Sequence, residues 1–159
     1  MKHKSHCSDM ITKATKEQIA IVQSIAYETI NTIYPNYYPK GVVNFFLNHH
    51  SIENILQDIE KNNVYLLSEN GFYFGTGSID ENYMGRVFIL KEYQRKGYGS
   101  HLMDFLEEQI FSKYDSILLN SSLPAFNFYL KRGYMPFTYN EEMVENDCVL
   151  CYHTMIKKS

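Results

Sequence analysis

Residues 88–100 of the chain read FILKEYQRKGYGS, and this stretch decides the fold. It joins a short apolar run over 87–90 to a helix that the spacing of apolar residues predicts over 97–113. Gly97 and Gly99 let the backbone approach a ligand closely, and the first turn of a helix presents unpaired N–H groups at the positive end of its dipole. Such a turn is suited to an anion, above all a phosphate or pyrophosphate.

Positive charge from Arg95 and Lys96 lies beside this turn. A Walker phosphate loop is excluded, because no glycine is followed by Gly-Lys-Ser/Thr at the required spacing. A dinucleotide-binding fingerprint needs a third glycine at position 102, which is Leu102, and it opens the first βαβ unit instead of following a hairpin. Two interpretations remain open at this point: a different phosphate loop, or glycines that only permit a tight turn from strand to helix.

Outward from this stretch, hydrophobic periodicity predicts alternating helices and strands. An Asn70-Gly71 pair between two β-rich runs predicts a hairpin. Helical spacing is found over 15–33, 51–61, 97–113 and 124–132, and strand patterns over 9–13, 64–67, 71–79, 87–90, 116–119, 134–139 and 148–156. The order β-α-α-β-β-β-α-β-α-β-β is typical of a mixed α/β domain with a largely antiparallel sheet.

The 159 residues carry 15 Lys and Arg, 18 Asp and Glu and 45% hydrophobic residues, which is typical of a single folded domain over 1–159 with a flexible tail over 1–8. A net charge of −3 without a basic patch argues against nucleic-acid binding, and no apolar run reaches the roughly 20 residues of a membrane span. Three cysteines indicate the reducing cytoplasm.

We expect no metal site in the chain. The cysteines and histidines that suggest one are Cys148, Cys151, His153, His3, His6 and Cys7. On an extended strand, residues 148 and 151 point to opposite faces, whereas a closed zinc site draws on two compact ligand pairs.

A second stretch, 125–134, reads AFNFYLKRGY and has the pattern Ala-x-x-x-Tyr-x-x-x-Gly-Tyr. With Gln-x-x-Gly-x-Gly over 94–99, and with 35 positions between Gln94 and Tyr129, the chain resembles the GCN5-related N-acetyltransferase (GNAT) superfamily. The resemblance is weak over the first 60 residues and good over 63–134. It implies a mostly antiparallel, twisted sheet of six to seven strands with about four helices, and transfer of an acetyl group from acetyl-CoA to an amine.

The resemblance also implies the contacts with acetyl-CoA. The strand before the loop is expected to splay from its neighbour, so that the backbone of Val87, Phe88 and Ile89 pairs with the pantetheine arm. The pyrophosphate would be held by backbone N–H groups of Gln94, Arg95, Lys96, Gly97, Tyr98, Gly99 and Ser100.

Further contacts are expected around the second stretch. Ser122 stands where the family often has an asparagine that touches the cofactor, and Asn127 is the favoured polar contact beside the arm. Lys131 or Arg132 would reach the 3′-phosphate of CoA or remain a solvated surface charge.

The resemblance makes Tyr129 the general acid that protonates the departing thiolate. The alternative is that Tyr129, one of fourteen tyrosines, only packs its helix. Many members of the family place a proton-relaying glutamate eleven residues before the loop, where this chain has Tyr83. The nearest carboxylates are those of Asp80 and Glu81, which are expected in the preceding turn. Three possibilities therefore stay open: the base lies elsewhere in the chain, water removes the proton, or the amine binds already neutral.

Three other features of the sequence lead to predictions, and for the first two of them two interpretations stay open. The aromatic residues Tyr34, Tyr37, Tyr38, Phe45 and Phe46 would pack between two helices or form the wall of a substrate pocket. Gly75 and Gly77 within a strand indicate a bulge or a close approach by another backbone. His49 and His50 are expected on a surface between a helix and a loop.

The sequence thus predicts an acetyl-CoA-dependent N-acetyltransferase that acts by direct attack of a primary amine, with a small-molecule acceptor and no metal. The alternatives are a CoA-binding sensor without turnover, a protein acetyltransferase, and a partner-binding domain without a cofactor. We expect no nucleic-acid or membrane partner, a cytoplasmic location, and a monomer or homodimer.

Overall fold

Seven strands form one sheet in the computed structural model, which describes residues 10–159. The strands are β1 Ile11–Lys13, β2 Val64–Glu69, β3 Phe72–Asp80, β4 Tyr83–Ile89, β5 Ser116–Ser121, β6 Met135–Met143 and β7 Val149–Lys158. Their order is β1-β2-β3-β4-β5-β7-β6, and every neighbouring pair is antiparallel except β4 and β5. The predicted mixed α/β fold with a mostly antiparallel sheet is confirmed.

Helices cover both faces of this sheet. They are α1 Ile19–Ile33, α2 Lys40–His49, α3 Ile52–Glu60, α4 Tyr98–Phe111 and the six-residue α5 Phe126–Lys131. Successive side chains of β4 point to opposite faces. Phe88 contacts Tyr34 and His50 on the side of α1 and α2, whereas Ile89 lies near Gly99 on the side of α4.

The helix predicted over 15–33 is confirmed as a short 3₁₀ turn, Lys16–Gln18, followed by α1. One side of α1 is buried, as the spacing of its apolar residues predicts. The buried residues are Val22, Ile25, Ala26, Thr29 and Ile30. The helix ends at Ile33, because Pro35 prevents its continuation.

Helix α2 is absent from the predicted order, which is a correction. The apolar residues of its sequence, KGVVNFFLNH, form a short run of mostly β-branched and aromatic residues, which by themselves do not favour a helix. A glycine at its second position also argues against a helix. That glycine, Gly41, is required by packing, since a Cβ there would lie 2.5 Å from the carbonyl oxygen of Glu145 in the β6–β7 turn.

The hairpin predicted at Asn70-Gly71 is confirmed between β2 and β3. Asn70 has φ 52° and Gly71 has φ 77°, the two left-handed residues that a tight hairpin turn requires. Further along β3, the register with β4 shifts between Thr76 and Ser78, so Gly77 lies in a bulge. A Cβ on Gly77 would lie 2.7 Å from Leu106 of α4, and one on Gly75 equally close to Ile89. The bulge is therefore confirmed, whereas the close neighbours of both glycines are side chains and not another backbone.

A buried ion cluster joins α4, the α5–β6 turn and β7. Arg132 donates to Glu107 Oε2 at 2.8 Å and to Asp104 Oδ1 at 2.7 Å, and only 15% of its side chain is exposed. Arg132 is therefore neither a solvated charge nor free for a 3′-phosphate, in contrast to both predicted alternatives. Lys157 Nζ and the Tyr134 hydroxyl also donate to Glu107, at 3.2 and 3.0 Å.

Within residues 10–159, no helix combines the length and the apolar character needed to cross a membrane. In the same range no three His, Cys, Asp or Glu side chains are grouped to hold a metal ion, and Cys148 and Cys151 are free thiols. The other predicted participants, His3, His6 and Cys7, lie outside the described residues.

Candidate functional site

A cavity of about 890 Å³ opens where β4 and β5 part. The two strands pair only at Tyr83–Leu118 and Met84–Leu119, so beyond Met84 no strand of residues 10–159 pairs with β4 on that side. The other walls come from α1, α2, α3, the start of α4, α5, β6 and β7. The strand that precedes the loop therefore splays from its neighbour, and Val87, Phe88 and Ile89 line the resulting space.

One end of the cavity is formed by the loop that the sequence singles out. Arg95 has φ 60° and Gly97 has φ 88°, and α4 begins directly afterwards at Tyr98. As a result, no backbone carbonyl in the described part of the chain accepts from the six N–H groups of residues 95–100. The Gln94 side chain fixes the base of the loop by donating from Nε2 to the Ile89 carbonyl at 2.8 Å. Unpaired N–H groups on one turn make an anion site.

The residues of this loop divide into those that line the cavity and those that do not. Gln94, Arg95, Gly97, Gly99 and Ser100 line the cavity. Lys96 and Tyr98 do not line it. Lys96 Nζ lies 5.8 Å from the centre of the Tyr93 ring, and the Tyr98 hydroxyl donates to Glu69 Oε2 at 2.6 Å.

Tyr129 lies on α5 and lines the cavity, and only 6% of the residue is exposed. Its ring packs against Phe128 and Tyr134, while its hydroxyl has no hydrogen bond to another described residue. Burial raises the pKa of the Tyr129 phenol, and the nearby phenols of Tyr34 and Tyr83 raise it further. The group is therefore protonated at neutral pH and can give a proton to a group in the cavity.

Of the two residues on or beside α5 that were predicted to contact the cofactor, one lines the cavity and the other does not. Ser122 lines the cavity and forms a hydrogen bond with Tyr34, whose pKa is raised to about 12 by burial. Asn127 is exposed on α5 and does not line the cavity. Tyr83, which stands at the position of the family's glutamate, does line it, and burial raises its pKa as well.

The aromatic residues between α1 and α2 serve both predicted purposes. Tyr34 and Tyr38 are buried, and the Tyr38 hydroxyl accepts from the backbone N–H of Leu123 at 2.6 Å. Phe45 and Phe46 line the cavity, as does Tyr37 with 52% of its surface exposed. The group is therefore both core packing and pocket wall.

Sequence reasoning missed a polar network on the far side of the cavity. Arg86, at the bulge of β4 with φ 48°, donates from Nη2 to Asp58 Oδ2 at 2.5 Å, and its Nη1 lies 2.6 Å from His50 Nδ1. Its side chain is 5% exposed, and its Nε is a buried nitrogen without a partner. Arg86 is an isolated charge at the start of an apolar run, and the positions of its partners, 28 and 36 residues earlier, could not be read from the sequence.

The prediction that both adjacent histidines lie on the surface is confirmed for His49 and wrong for His50. His50 is buried, with 5% of its surface exposed, and its ring packs edge-on against Phe88 at 5.0 Å. Burial lowers the pKa of His50 to about 2, together with the charges of Arg86 and His49. His49 is exposed on one side and lines the cavity on the other, with its ring stacked on Phe45 at 6.2 Å.

Comparison with known protein families finds one match. The family model described as an acetyltransferase (GNAT) domain matches residues 33–158. A search of curated protein sequences gave no significant match.

Solved structures share the fold at low sequence identity. A GCN5-related N-acetyltransferase from Rhodopseudomonas palustris has a TM-score of 0.85 at 18% identity, with 94% of each chain covered. The PaiA N-acetyltransferase from Thermoplasma acidophilum, in complex with coenzyme A, has a TM-score of 0.71 at 19% identity, with 94% of this chain and 98% of that chain covered. The ribosomal-protein-S18-alanine N-acetyltransferase from Escherichia coli has a TM-score of 0.67 at 13% identity, with 93% of this chain and 92% of that chain covered.

Proposed function

The chain belongs to the GNAT acetyltransferase family and is an acetyl-CoA-dependent N-acetyltransferase; on this premise, we propose that its acceptor is a small molecule whose primary amine attacks the thioester directly. The observation that carries the proposal is the cavity of about 890 Å³, which the loop, Tyr129 and a set of polar side chains all line. It runs from the unpaired N–H groups of the loop, past Tyr129, to a polar wall at Asp58 and Arg86. Two substrates bound at its two ends would meet beside Tyr129.

The loop end fits the pyrophosphate of CoA. Six backbone N–H groups without partners and the side chain of Arg95 offer the donors and the charge that a pyrophosphate needs. The free edge of β4 beyond Met84 offers main-chain groups to the amides of the pantetheine arm, as a neighbouring strand would. Acetyl-CoA supplies the acetyl group as an activated thioester.

Tyr129 is assigned as the general acid. Its phenol has no hydrogen bond within the described chain, it faces the cavity, and burial keeps it protonated. A positioned phenol stabilises a departing thiolate by giving it a proton. No cysteine of the described residues lines the cavity, which favours direct attack by the amine over transfer through a thiol of the protein.

The acceptor end favours a compact amine. Its walls are the rings of Phe45 and Phe46 and the polar side chains of Asp58, Arg86 and Glu142, contributed by four different elements around one space. A molecule small enough to enter would be surrounded by these groups, as is usual for small-molecule sites.

The first test of this function is a thermal-shift titration with acetyl-CoA, CoA and NADH. Saturation at 100 times Kd adds about 2.7 kcal/mol of stability, on the order of 5–10 °C for a domain of this size. We expect both CoA compounds to raise Tm and NADH to leave it unchanged. A shift with NADH alone would contradict the assignment of the loop.

The second test measures CoA release with spermidine, kanamycin, an Nα-blocked lysine and a lysine-containing peptide, with product masses recorded. We expect one small amine to accelerate release and to gain one acetyl group. Initial rates with both substrates varied should give intersecting lines, since a ternary complex precedes direct attack, whereas parallel lines would indicate a covalent acetyl-enzyme. Binding of CoA without release for any amine would identify a sensor, and preference for the peptide a protein acetyltransferase.

A further inference from the structure

The reaction needs an amine with a free electron pair, but a primary amine is an ammonium ion at neutral pH. Some group must therefore accept a proton before attack. The position where many relatives carry a glutamate is Tyr83, a phenol that cannot accept a proton at neutral pH. The acceptor must be sought among the other titratable side chains of the cavity wall.

Two of these side chains are already engaged. Asp58 Oδ2 accepts from Arg86 Nη2, and His50 Nδ1 lies 2.6 Å from Arg86 Nη1. With its Nδ1 filled, neutral His50 carries its proton on Nε2 and has no free lone pair. Its pKa of about 2 confirms that protonation beside Arg86 is strongly disfavoured. Neither group is a free proton acceptor.

Two carboxylates of the wall, Asp80 at the end of β3 and Glu142 on β6, are exposed. An exposed carboxylate remains hydrated and is a weak base toward an ammonium ion. Exposed carboxylates of this kind suit attraction of a cation, not removal of its proton.

His49 remains. It ends α2, its ring is stacked on Phe45 at 6.2 Å and edge-on to His50 at 5.1 Å, and it lines the cavity on the side of Arg86. The charged groups around it are Arg86 from β4, Asp58 from α3 and Glu142 from β6. Burial and Arg86 lower the pKa of His49 below 6.5, and the two carboxylates oppose this only in part. The ring is therefore neutral and able to accept a proton at neutral pH.

We propose that His49 is the general base of this acetyl transfer and takes the proton of the acceptor ammonium, directly or through one water molecule. The inference rests on the proposed function, because it concerns the acceptor end of the same cavity. The carboxylates of Asp58 and Glu142 then stabilise the charge that His49 gains.

The step balances as follows. His49 takes one proton from the ammonium, and the freed electron pair of the nitrogen forms a bond to the thioester carbon. The C–S bond breaks with its electron pair on sulfur, and Tyr129 gives that sulfur a proton. The new amide loses its second proton, which restores the Tyr129 phenol through solvent, and His49 passes its proton to water. One ammonium and one thioester thus yield one amide, one thiol and one released proton.

The test is the pH profile of kcat/KM between pH 5.5 and 9, using the fastest amine among spermidine, kanamycin and Nα-blocked lysine. For the wild type we expect a plateau above the pKa of His49, since the base then removes the proton at every pH. For His49→Gln we expect a loss of about 100-fold at pH 7 and a rise of about tenfold per pH unit up to pH 9, because only amine that is already neutral reacts. Added imidazole should restore part of the rate.

The matched control is His153→Gln. His153 lies on β7 between Phe126 and Tyr139, outside the cavity, and its replacement should leave the plateau unchanged. A His49→Gln enzyme that keeps the plateau at a uniformly lower rate would assign His49 a packing role and overturn the proposal. A wild type that binds acetyl-CoA and acetylates none of these amines would overturn the proposed function, and the role of His49 with it.

Discussion

At the scale of single residues, backbone strain is concentrated at the cavity. Arg86 and Arg95 both line it with left-handed φ angles of 48° and 60°. Such a conformation costs on the order of 1–2 kcal/mol for a residue with a Cβ. The remaining described non-glycine residues with positive φ are Asn62, Asn70, Glu81, Asn146 and Asp147, four of them of the types that tolerate it in turns. The two arginines are held in strained positions where a ligand would bind.

Gly97→Ala should weaken acetyl-CoA binding. Gly97 has φ 88° and empty space around it, so an alanine there meets no atom but must adopt a strained backbone or move the loop. Movement of the loop displaces the N–H groups that follow, and we expect Kd to rise about tenfold, equivalent to 1.4 kcal/mol. Isothermal titration with acetyl-CoA measures this change.

The chain provides a matched control in Gly71→Ala. Gly71 has φ 77° and equally empty surroundings, but it lies in the β2–β3 hairpin turn and does not line the cavity. Both variants should lose about 1 kcal/mol of folding stability, whereas only Gly97→Ala should change Kd. Equal Kd values for the two variants would show that the loop does not hold the ligand.

Tyr129→Phe should slow turnover without loss of acetyl-CoA affinity. The phenylalanine keeps the packing against Phe128 and Tyr134 and removes only the unpartnered hydroxyl. We expect kcat to fall by about 100-fold and Kd to change less than about threefold, because the proton reaches the thiolate only after attack. Tyr114→Phe, an exposed tyrosine outside the cavity, should behave as the wild type. Wild-type kcat in Tyr129→Phe would exclude the phenol as the acid.

At the scale of elements, the buried ion cluster around Glu107 fixes α4 and α5 to β7. It thereby holds the loop before α4 and Tyr129 on α5 in fixed positions relative to each other. Glu107→Gln keeps the shape but removes the charge that compensates Arg132 and Lys157. The side chains of Arg132 and Lys157 are 15% and 25% exposed. We therefore expect the free energy of unfolding to fall by about 2–3 kcal/mol, which is less than for a completely buried ion pair. Chemical denaturation at pH 7 measures it.

Asp104→Asn is the control for this element. Asp104 also accepts from Arg132, but its side chain is 70% exposed, and an exposed pair contributes at most about 1 kcal/mol. Equal losses for the two substitutions would mean that the cluster is held by its surface members and not by the buried carboxylate.

Elements with a local sequence pattern were predictable. The hairpin depends on Asn70-Gly71, and α4 depends on apolar spacing and on the glycines before it, so each is encoded within a few residues. Helix α2 was not predictable, because its apolar residues are mostly β-branched or aromatic and its Gly41 is explained only by the contact with Glu145.

The residues of the site also divide into those that a local sequence pattern identifies and those that only tertiary packing brings together. The loop and Tyr129 belong to stretches with recognisable spacing, so a resemblance identified them. The network of Arg86 with Asp58 and His50 joins a strand to residues 28 and 36 positions earlier, and tertiary packing alone brings them together. A buried histidine next to an exposed one also cannot be distinguished from two exposed histidines in the sequence.

At the scale of the whole molecule, the buried neutral His50 makes stability depend on pH. Its pKa is about 2 in the folded chain and about 6.5 when unfolded, so below pH 6.5 the unfolded state binds a proton that the folded state does not. The stabilising contribution is thus complete above pH 6.5 and is lost as the pH falls toward 2. The loss amounts to about 1.4 kcal/mol per pH unit for one proton.

His50→Gln should therefore reduce the acid sensitivity of folding. A glutamine oxygen can still accept from Arg86, but it does not titrate, so the loss of stability between pH 7 and pH 5 should be smaller than in the wild type by about 2 kcal/mol, or about 4–8 °C in Tm. Urea denaturation at the two pH values measures the difference. His153→Gln retains His50 and should lose stability as the wild type does. If His50→Gln and the wild type lost equal stability on acidification, His50 would have to be protonated in the folded protein, and the contact of its Nδ1 with Arg86 would have to break as the pH falls.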